Sequence, residues 1–282
     1  MKRFILDKGP DKDGLIRVWG EGYHYLVHVR RLKPGGVFAA ALPSGEEVTA
    51  RVQSVEGGVL AALTGPAGAA VSSPALPPLV LFQALPKGTK MDLIVRQAAE
   101  GGISEVVPFV AERSVPGRDT GGGKRAAGRE PAGGNSPRLE RWRRIVKEAR
   151  QQSGSPVDTQ IRPVVSAAGL FARWDELRSG GGGLAASPAL GIVLHETAPE
   201  GPGESPLEQS SFHHYLSRGP SAVALAVGPE GGFSPLELER FTGAGFKLLR
   251  AGNTVLRTET AALYGAAAVR IILLERAWWT LK

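Results

Sequence analysis

The segment from Ala222 to Glu237 constrains this chain most. Six apolar residues, Ala222 to Val227, lead without interruption into Gly228-Pro229-Glu230-Gly231-Gly232 and then into Phe233-Ser234-Pro235-Leu236-Glu237. An unbroken apolar run predicts a strand buried on both faces, as in a parallel sheet. Ser234 as N-cap, Pro235 at the first helical position and Glu237 as the acid of a capping box predict a helix over 235–243. Glycines after a strand allow a sharp turn and close approach of the backbone to a ligand, and ligands of open α/β sheets bind at those strand ends. A tight βα turn that holds nothing has the same spacing.

Alternation continues on either side of this segment. Leu79–Ala84 reads as a buried strand. A helix follows with Met91, Ile94, Val95 and Ala98 on one face, stopping at Gly101-Gly102. Further strands are expected over 103–110, 191–195 and 246–249, and further helices over 138–150 and from about Glu259 to Leu274. This pattern predicts an open α/β sheet. The first seventy residues differ: Leu15–Trp19, Tyr25–Val29, Gly36–Ala40, Val48–Val52 and Gly58–Ala62 are short strand-like runs separated by Gly, Pro or Ser, which predicts a small antiparallel barrel. Gly65 to Pro78 reads as a linker, so domains are expected over 1–72 and 78–282. Three Gly-, Pro- and Ser-rich stretches, 116–137, 179–190 and 198–211, offer too little apolar surface to offset chain entropy and are expected to be mobile insertions.

Charge narrows the partners. Lys and Arg number 34 against 27 acids, a net +7, and residues 138–150 alone hold six cations and two acids, +4 of that total. In that helix Leu139, Trp142, Ile145, Val146 and Ala149 make an expected buried stripe. Arg141, Arg144, Lys147 and Arg150 can face outward toward phosphates, although a merely solvated face accounts for them equally. With no cysteine in 282 residues there is no thiolate nucleophile and no Cys-ligated metal, and the five histidines show no metal-ligand spacing; no metal is expected. His213-His214 reads as a solvated pair. No apolar run is long enough for a bilayer and Met1 to Asp7 lack a signal-peptide core, so a cytoplasmic protein without a membrane partner is expected. Gly123-Lys124 resembles a P-loop, but Arg118 and Arg125 break that motif, and no dinucleotide fingerprint joins a strand to a helix.

A second informative stretch runs from Ala251 to Ala262. Arg257 stands just before a helix whose first turn holds Glu259. Glu259 complements the helix dipole, which is reason enough for it. Arg257 opposes that dipole, so its position points to an anionic partner.

Gly228 to Glu237 followed at this distance by Val255-Leu256-Arg257-Thr258-Glu259-Thr260-Ala261 resembles the signature pair of RsmE-type rRNA uridine-N3 methyltransferases of the SPOUT class. Arg3-Phe4, His24 to Gly35, Lys87 to Asp92, Glu100, Pro108, Glu112-Arg113-Ser114 and Gln152-Ser153-Gly154 agree with it. The resemblance implies an N-terminal PUA-like barrel for RNA, a C-terminal SPOUT α/β domain with a deep trefoil knot, and a homodimer. Its cofactor would be S-adenosylmethionine, held by Leu194, His195 and Glu196, by Gly228, Gly231 and Gly232, and by Ala251, Val255 and Leu256. Its substrate would be one uridine of small-subunit rRNA within the 30S particle. Arg3, Arg31, Arg113, Arg141 and Arg144 are the expected RNA contacts. Ala251, where the family carries Leu, Thr254, where it carries a basic residue, and Gln151 and Ser155 beside the Gln-Ser-Gly motif depart from the pattern.

Methylation at uracil N3 requires loss of the N3 proton and stabilisation of charge on O2 and O4. Arg257 is the first candidate for that stabilisation, Arg113 the second, and Glu230 or a water the proton acceptor. A non-catalytic RNA-binding assembly factor of the same fold is the alternative. A metabolic enzyme on an ordinary α/β sheet fits the N-terminal strands and the basic helix less well.

Overall fold

The computed structural model describes residues 4–43, 46–66, 76–114, 136–180, 187–196 and 211–277. Of the insertions expected over 116–137, 179–190 and 198–211, residues 116–135, 181–186 and 198–210 lie outside the described residues, as does Arg3, whereas Pro137, Ser179, Leu190 and Ser211 belong to helices or strands. Two compact units divide the chain: residues 1–73 with 147–158, and residues 74–146 with 159–282.

The first unit carries a five-stranded sheet, β1 (Phe4–Ile5), β2 (Leu15–Trp19), β3 (Val37–Ala41), β4 (Glu47–Glu56) and β5 (Val59–Pro66), in the order β1-β3-β4-β5-β2. β3, β4, β5 and β2 pair antiparallel, but β1 joins β3 in parallel. A register shift between Val52 and Ser54 bulges β4 against β5. Leu26, Phe38, Ala50 and Leu60 are fully buried at its centre.

Tyr25–Val29, expected as a strand, is instead a π-helix over His24–Val29 that continues the short helix α1 (Gly20–Tyr23). Gly22 makes this turn feasible: a Cβ there would lie 2.7 Å from Val18 and 2.9 Å from Phe4, so only glycine lets the helical backbone come this close. Leu26 then enters the core while His28 and Val29 both stay exposed, a burial pattern that strand alternation, which would turn His28 inward with Leu26, does not give.

In the second unit the strands are β6 (Leu79–Ala84), β7 (Glu105–Phe109), β8 (Gln160–Ile161), β9 (Leu190–Leu194), β10 (Val223–Val227) and β11 (Phe246–Leu249). They form one parallel sheet in the order β11-β9-β10-β6-β7-β8. Every residue of β6, β7, β9 and β10 is buried, including the polar Gln83 of β6 and Glu105 of β7. The helices are α2 (Lys90–Glu100), α3 (Pro137–Ser153), which crosses from this unit's residues into the 147–158 segment, α4 (Ala167–Ser179), α5 (Ser211–Leu216), α6 (Pro235–Gly243) and α7 (Thr258–Ala277).

Glycines set two close approaches in this unit. A Cβ on Gly265 of α7 would lie 2.6 Å from Leu194 and 3.0 Å from Leu225, and one on Gly191 would strike the Phe246 ring at 2.8 Å. Phe246 in turn packs with Trp174 at 4.5 Å and Phe241 at 5.1 Å between ring centroids, a cluster that covers one face of the sheet.

Helix α3 buries the expected stripe of Leu139, Trp142, Ile145, Val146 and Ala149. Arg150, expected to face outward, is buried and ion-paired with Asp158. The His213-His214 segment, read from sequence as mobile and solvated, is helical. His213 Nε2 lies 3.0 Å from a Glu275 carboxylate oxygen on α7, and its Nδ1 lies 3.3 Å from the Ser217 hydroxyl. No described helix is long and apolar enough to cross a membrane.

Candidate active site

Parallel pairing puts the C-terminal ends of β9, β10 and β11 side by side. Val227 of β10 is in register with Leu194 of β9, which is in register with Leu249 of β11. The three segments that leave these ends are the ones singled out in the sequence. They line one cavity of about 290 Å³. From β9 come Leu194, His195 and Glu196, with the His195 N–H bonded to the Leu249 carbonyl at 3.1 Å. From β10 come Gly228, Glu230 and Gly232. The loop after β11 supplies Ala251, Val255, Leu256 and Arg257, and also Arg250.

The turn after β10 is built for its glycines. Gly232 takes φ +66°, a conformation open to glycine and strained for other residues, and its N–H closes the turn onto the Pro229 carbonyl at 2.9 Å. Gly231 stands beneath Arg113: a Cβ would come within 3.3 Å of the Arg113 Cβ, and the Arg113 guanidinium donates to the Gly231 carbonyl at 3.0 Å. Gly231 thus bears on the cavity through Arg113, which lines it. Helix α6 begins with the expected capping box, Ser234 accepting from the Glu237 N–H and Glu237 accepting from the Ser234 N–H. The other Glu237 oxygen accepts from the Glu112 N–H at 2.8 Å, tying the segment after β7 to the same helix start.

Glu230 is held from three directions. Its carboxylate accepts from Lys90 Nζ at 2.7 Å and from the Lys87 N–H at 3.1 Å, and Lys90 lies 3.6 Å from Glu259 at the start of α7. Burial alone would push the Glu230 carboxyl up, but the Lys90 ammonium, its own backbone N–H, and the Lys87 N–H outweigh burial and hold its pKa below the ordinary value. The hydrogen bond to Glu230 likewise holds Lys90 above its usual range. A carboxylate so stabilised is a weak proton acceptor and a good anchor.

Arg257 differs from Glu230. Its side chain is exposed at the cavity and makes no hydrogen bond or ion pair among the described residues, while its carbonyl accepts from the Ala261 N–H at 2.7 Å. Val255 beside it is 77% exposed, apolar surface that a ligand in the cavity would cover.

The expected RNA contacts are scattered. Arg31 is exposed on the first unit with φ +54°, a left-handed backbone unusual for any residue but glycine. Arg141 pairs with Asp92 of α2, so its charge is partly spent within the protein. Arg144 also has a partner within the protein. Sequence reasoning assigned no role to Lys90, Arg250, Gln83 or Thr258. Lys90 and Thr258 stand inside the motif segments, and Gln83 carried a signal of its own as a polar residue inside an apolar strand.

The Glu230–Lys90 pair has a defined pH window. A depressed carboxyl contributes stability above its ordinary pKa of 4.5 and loses it as pH falls through the lower folded value. The raised Lys90 contributes below 10.5 and loses it as pH rises past the higher folded value. Lys90→Met should therefore lower the melting temperature on the plateau between these limits, and the gap from wild type should close on acidification below 4.5. Thermal melts of both proteins across pH check this; a gap that persists at acid pH would assign the loss to packing.

Residues 73–270 match the family model of the RNA methyltransferase domain. The chain is 32% identical over 270 residues to the ribosomal RNA small subunit methyltransferase E of Mycobacterium bovis, covering 95% of this chain and 91% of that protein. Its likeness to the protein of that name from Bacillus subtilis is 28% over 255 residues, 89% and 88% of the two chains. The crystal structure of a ribosomal RNA small subunit methyltransferase E from Neisseria gonorrhoeae bound to S-adenosyl methionine shares the fold, with a TM-score of 0.71 at 23% identity over 96% of this chain and 98% of that one. With a cavity at the strand ends built from the motif residues, and with relatives matched over nearly its whole length, this chain belongs to the ribosomal RNA small subunit methyltransferase E family.

Proposed function

We propose that this protein transfers a methyl group from S-adenosylmethionine to N3 of one uridine in small-subunit rRNA. The observation that carries the reading is the meeting of the Gly228–Gly232 turn and the Ala251–Arg257 loop around one cavity, with the Arg257 guanidinium at its wall and unpaired among the described residues. The cavity suits the cofactor. Leu194, Val255, Leu256 and Ala261 offer apolar walls for a purine ring, the glycine turn offers backbone, and about 290 Å³ lies at the small end of ligand pockets. When bound, S-adenosylmethionine supplies an electrophilic methyl group.

The chain's own residues would act on the uracil. Arg257, unpaired and at the cavity, is placed to stabilise negative charge on a uracil oxygen as N3 loses its proton. Arg113 is fixed over the glycine turn by its bond to Gly231 and can supply a second cation from the other side of that turn. Glu230, with its lowered pKa and ion pair, holds the turn instead of taking the proton, which leaves a water as acceptor. Arg31 on the first unit, and Arg141 and Arg144 on α3, are proposed phosphate contacts, with Arg3 an expectation outside the described residues.

The finer architecture belongs to the same reading: a PUA-like first unit, a knotted SPOUT second unit, a 30S substrate and a cytoplasmic location. A homodimer is supported by α7, where Leu263, Tyr264 and Ile271 stand exposed at helical spacing on one face. Light scattering on the full chain should report twice the chain mass, and a monomer at micromolar concentration would overturn the dimer.

Calorimetry with S-adenosylmethionine tests the reading itself, with binding expected and its absence fatal to it. Arg257→Ala should lower the single-turnover methylation rate by about a hundredfold, the scale of one charge-stabilising donor, and leave cofactor affinity nearly unchanged. Arg257→Lys should recover only part of the rate, because a point charge cannot replace a planar fork. A fall in affinity and melting temperature matching the fall in rate would make Arg257 structural.

A further inference from the structure

Gln83 is fully buried in β6, a strand otherwise made of Leu, Val, Phe and Ala. Its amide Nε2 donates to the Ala84 carbonyl at 2.9 Å and to the Thr258 hydroxyl at 3.1 Å, and the Thr258 hydroxyl donates to the Gly228 carbonyl at 2.7 Å. The direction of this relay is set by chemistry. A hydroxyl has one proton, and the Gly228 carbonyl can only accept, so Thr258 must accept from the Gln83 amide. The other Gln83 atom, Oε1, is buried with no partner among the described residues. An unmet buried acceptor is a cost that an aliphatic side chain of similar size would not carry. The amide therefore contributes something other than core packing.

What it controls is a single peptide plane. The bond after Gly228 leads into Pro229, which has no N–H, so the Gly228 carbonyl is the only polar handle on that plane. Gly228 has no side chain to resist rotation. Among the described residues the hydroxyl bond from Thr258 is thus the one polar restraint on the first peptide of the glycine turn, and Thr258 is itself the first residue of α7, adjacent to Arg257. The relay joins three segments far apart in sequence: the end of β6, the turn after β10 and the loop that carries Arg257. Gln83 acts from inside the sheet, behind the cavity wall to which Gly228 and Thr258 belong.

We propose that Gln83 is a positioning residue for the cofactor cavity, acting through the Thr258 hydroxyl to fix the Gly228 carbonyl and so the spacing of the glycine turn from the Arg257 loop. The inference rests on the methyltransferase reading and adds to it a residue that touches neither cofactor nor substrate.

The test uses the full chain, with Gln83→Leu, Thr258→Val, the double variant Gln83→Leu/Thr258→Val, and Thr258→Ser. S-adenosylmethionine affinity by calorimetry, single-turnover methylation and cofactor-free melting are measured on each. Gln83→Leu and Thr258→Val should each weaken cofactor affinity by about tenfold, the scale of one net hydrogen bond. The double variant should be no worse than the poorer single, since both remove one relay. Thr258→Ser, which restores the hydroxyl, should recover most of what Thr258→Val loses. The cofactor-free melting temperature of Gln83→Leu should not fall, because the substitution also removes the unpartnered Oε1. Wild-type affinity and rate in Gln83→Leu, additive losses in the double variant, or a Thr258→Ser as weak as Thr258→Val would each overturn the inference. Losses that track a lowered melting temperature would overturn it too, by making the role one of stability. A wild-type protein that binds no cofactor would instead sink the functional reading and take this inference with it, so the two failures are told apart by the wild-type titration.

Discussion

Parallel pairing of β10 with both β6 and β9 is the constraint on which the second unit depends. In-register parallel strands send every C-terminal end to one edge, and the segments leaving that edge must turn back over helices on either face. Burial on both faces drives the pairing: a fully buried Val or Leu contributes about 1.5–3 kcal/mol, and β10 alone holds Val223, Leu225 and Val227 at 2% exposure or less. Shifting the register by one residue would exchange the two faces of β10. One packs with Phe82, Val193 and Phe246, and the other carries Leu225 against Gly265 of α7. The cavity follows from this register, since Leu194, Val227 and Leu249 end together.

Apolar burial cannot shape the loops that leave the sheet, because they are polar and partly exposed. Individual polar bonds do it instead. Arg113 grips the Gly231 carbonyl, Lys90 draws Glu230 and Glu259 toward one ammonium, and Glu237 serves two segments with its two oxygens. Side chains that are partly exposed contribute modestly to stability, since exposed ion pairs are worth about 0–1 kcal/mol. Their value is geometric: each one fixes the distance between two loops that the sheet leaves free.

The sequence carried the periodic part of this structure and missed what depends on particular neighbours. Helix α6 could be read to the residue because its cap is encoded within four positions, and β10 because its burial is uniform. Tyr25–Val29 misled because an apolar run of that length satisfies strand alternation, and the deciding fact, the clearance between Gly22 and Phe4, is tertiary. Arg150 misled for a similar reason. Helical periodicity placed it among outward cations, and Asp158, eight residues on, draws it inward. Helices α4 and α5 lay beside Gly-rich stretches whose composition masked them, although Leu170 and Trp174 are core residues of α4. Most cofactor-loop residues named from the signature motifs do line one cavity, and Gly231 reaches it only through Arg113. Lys90, Gln83 and Thr258 could be assigned only once the distances between segments were known.

The contrast between Glu230 and Arg257 shows how two charged residues of adjacent motifs divide their work. An ionised group already satisfied by a counter-ion and backbone donors gains little by meeting a reacting atom, because its charge is stabilised before the reaction begins. Glu230 is in that state, and its lowered pKa makes it a weaker base toward a weak acid such as uracil N3–H. Arg257 has spent none of its five donors within the described protein, so its interaction with developing negative charge is not offset by a bond it must first give up. An unpaired guanidinium costs little where it is exposed to water, and it becomes a strong stabiliser once a bound base excludes that water. Under the proposed function, satisfaction of Glu230 and exposure of Arg257 are two sides of one arrangement: the anion builds the cavity, and the cation is left to meet negative charge in it.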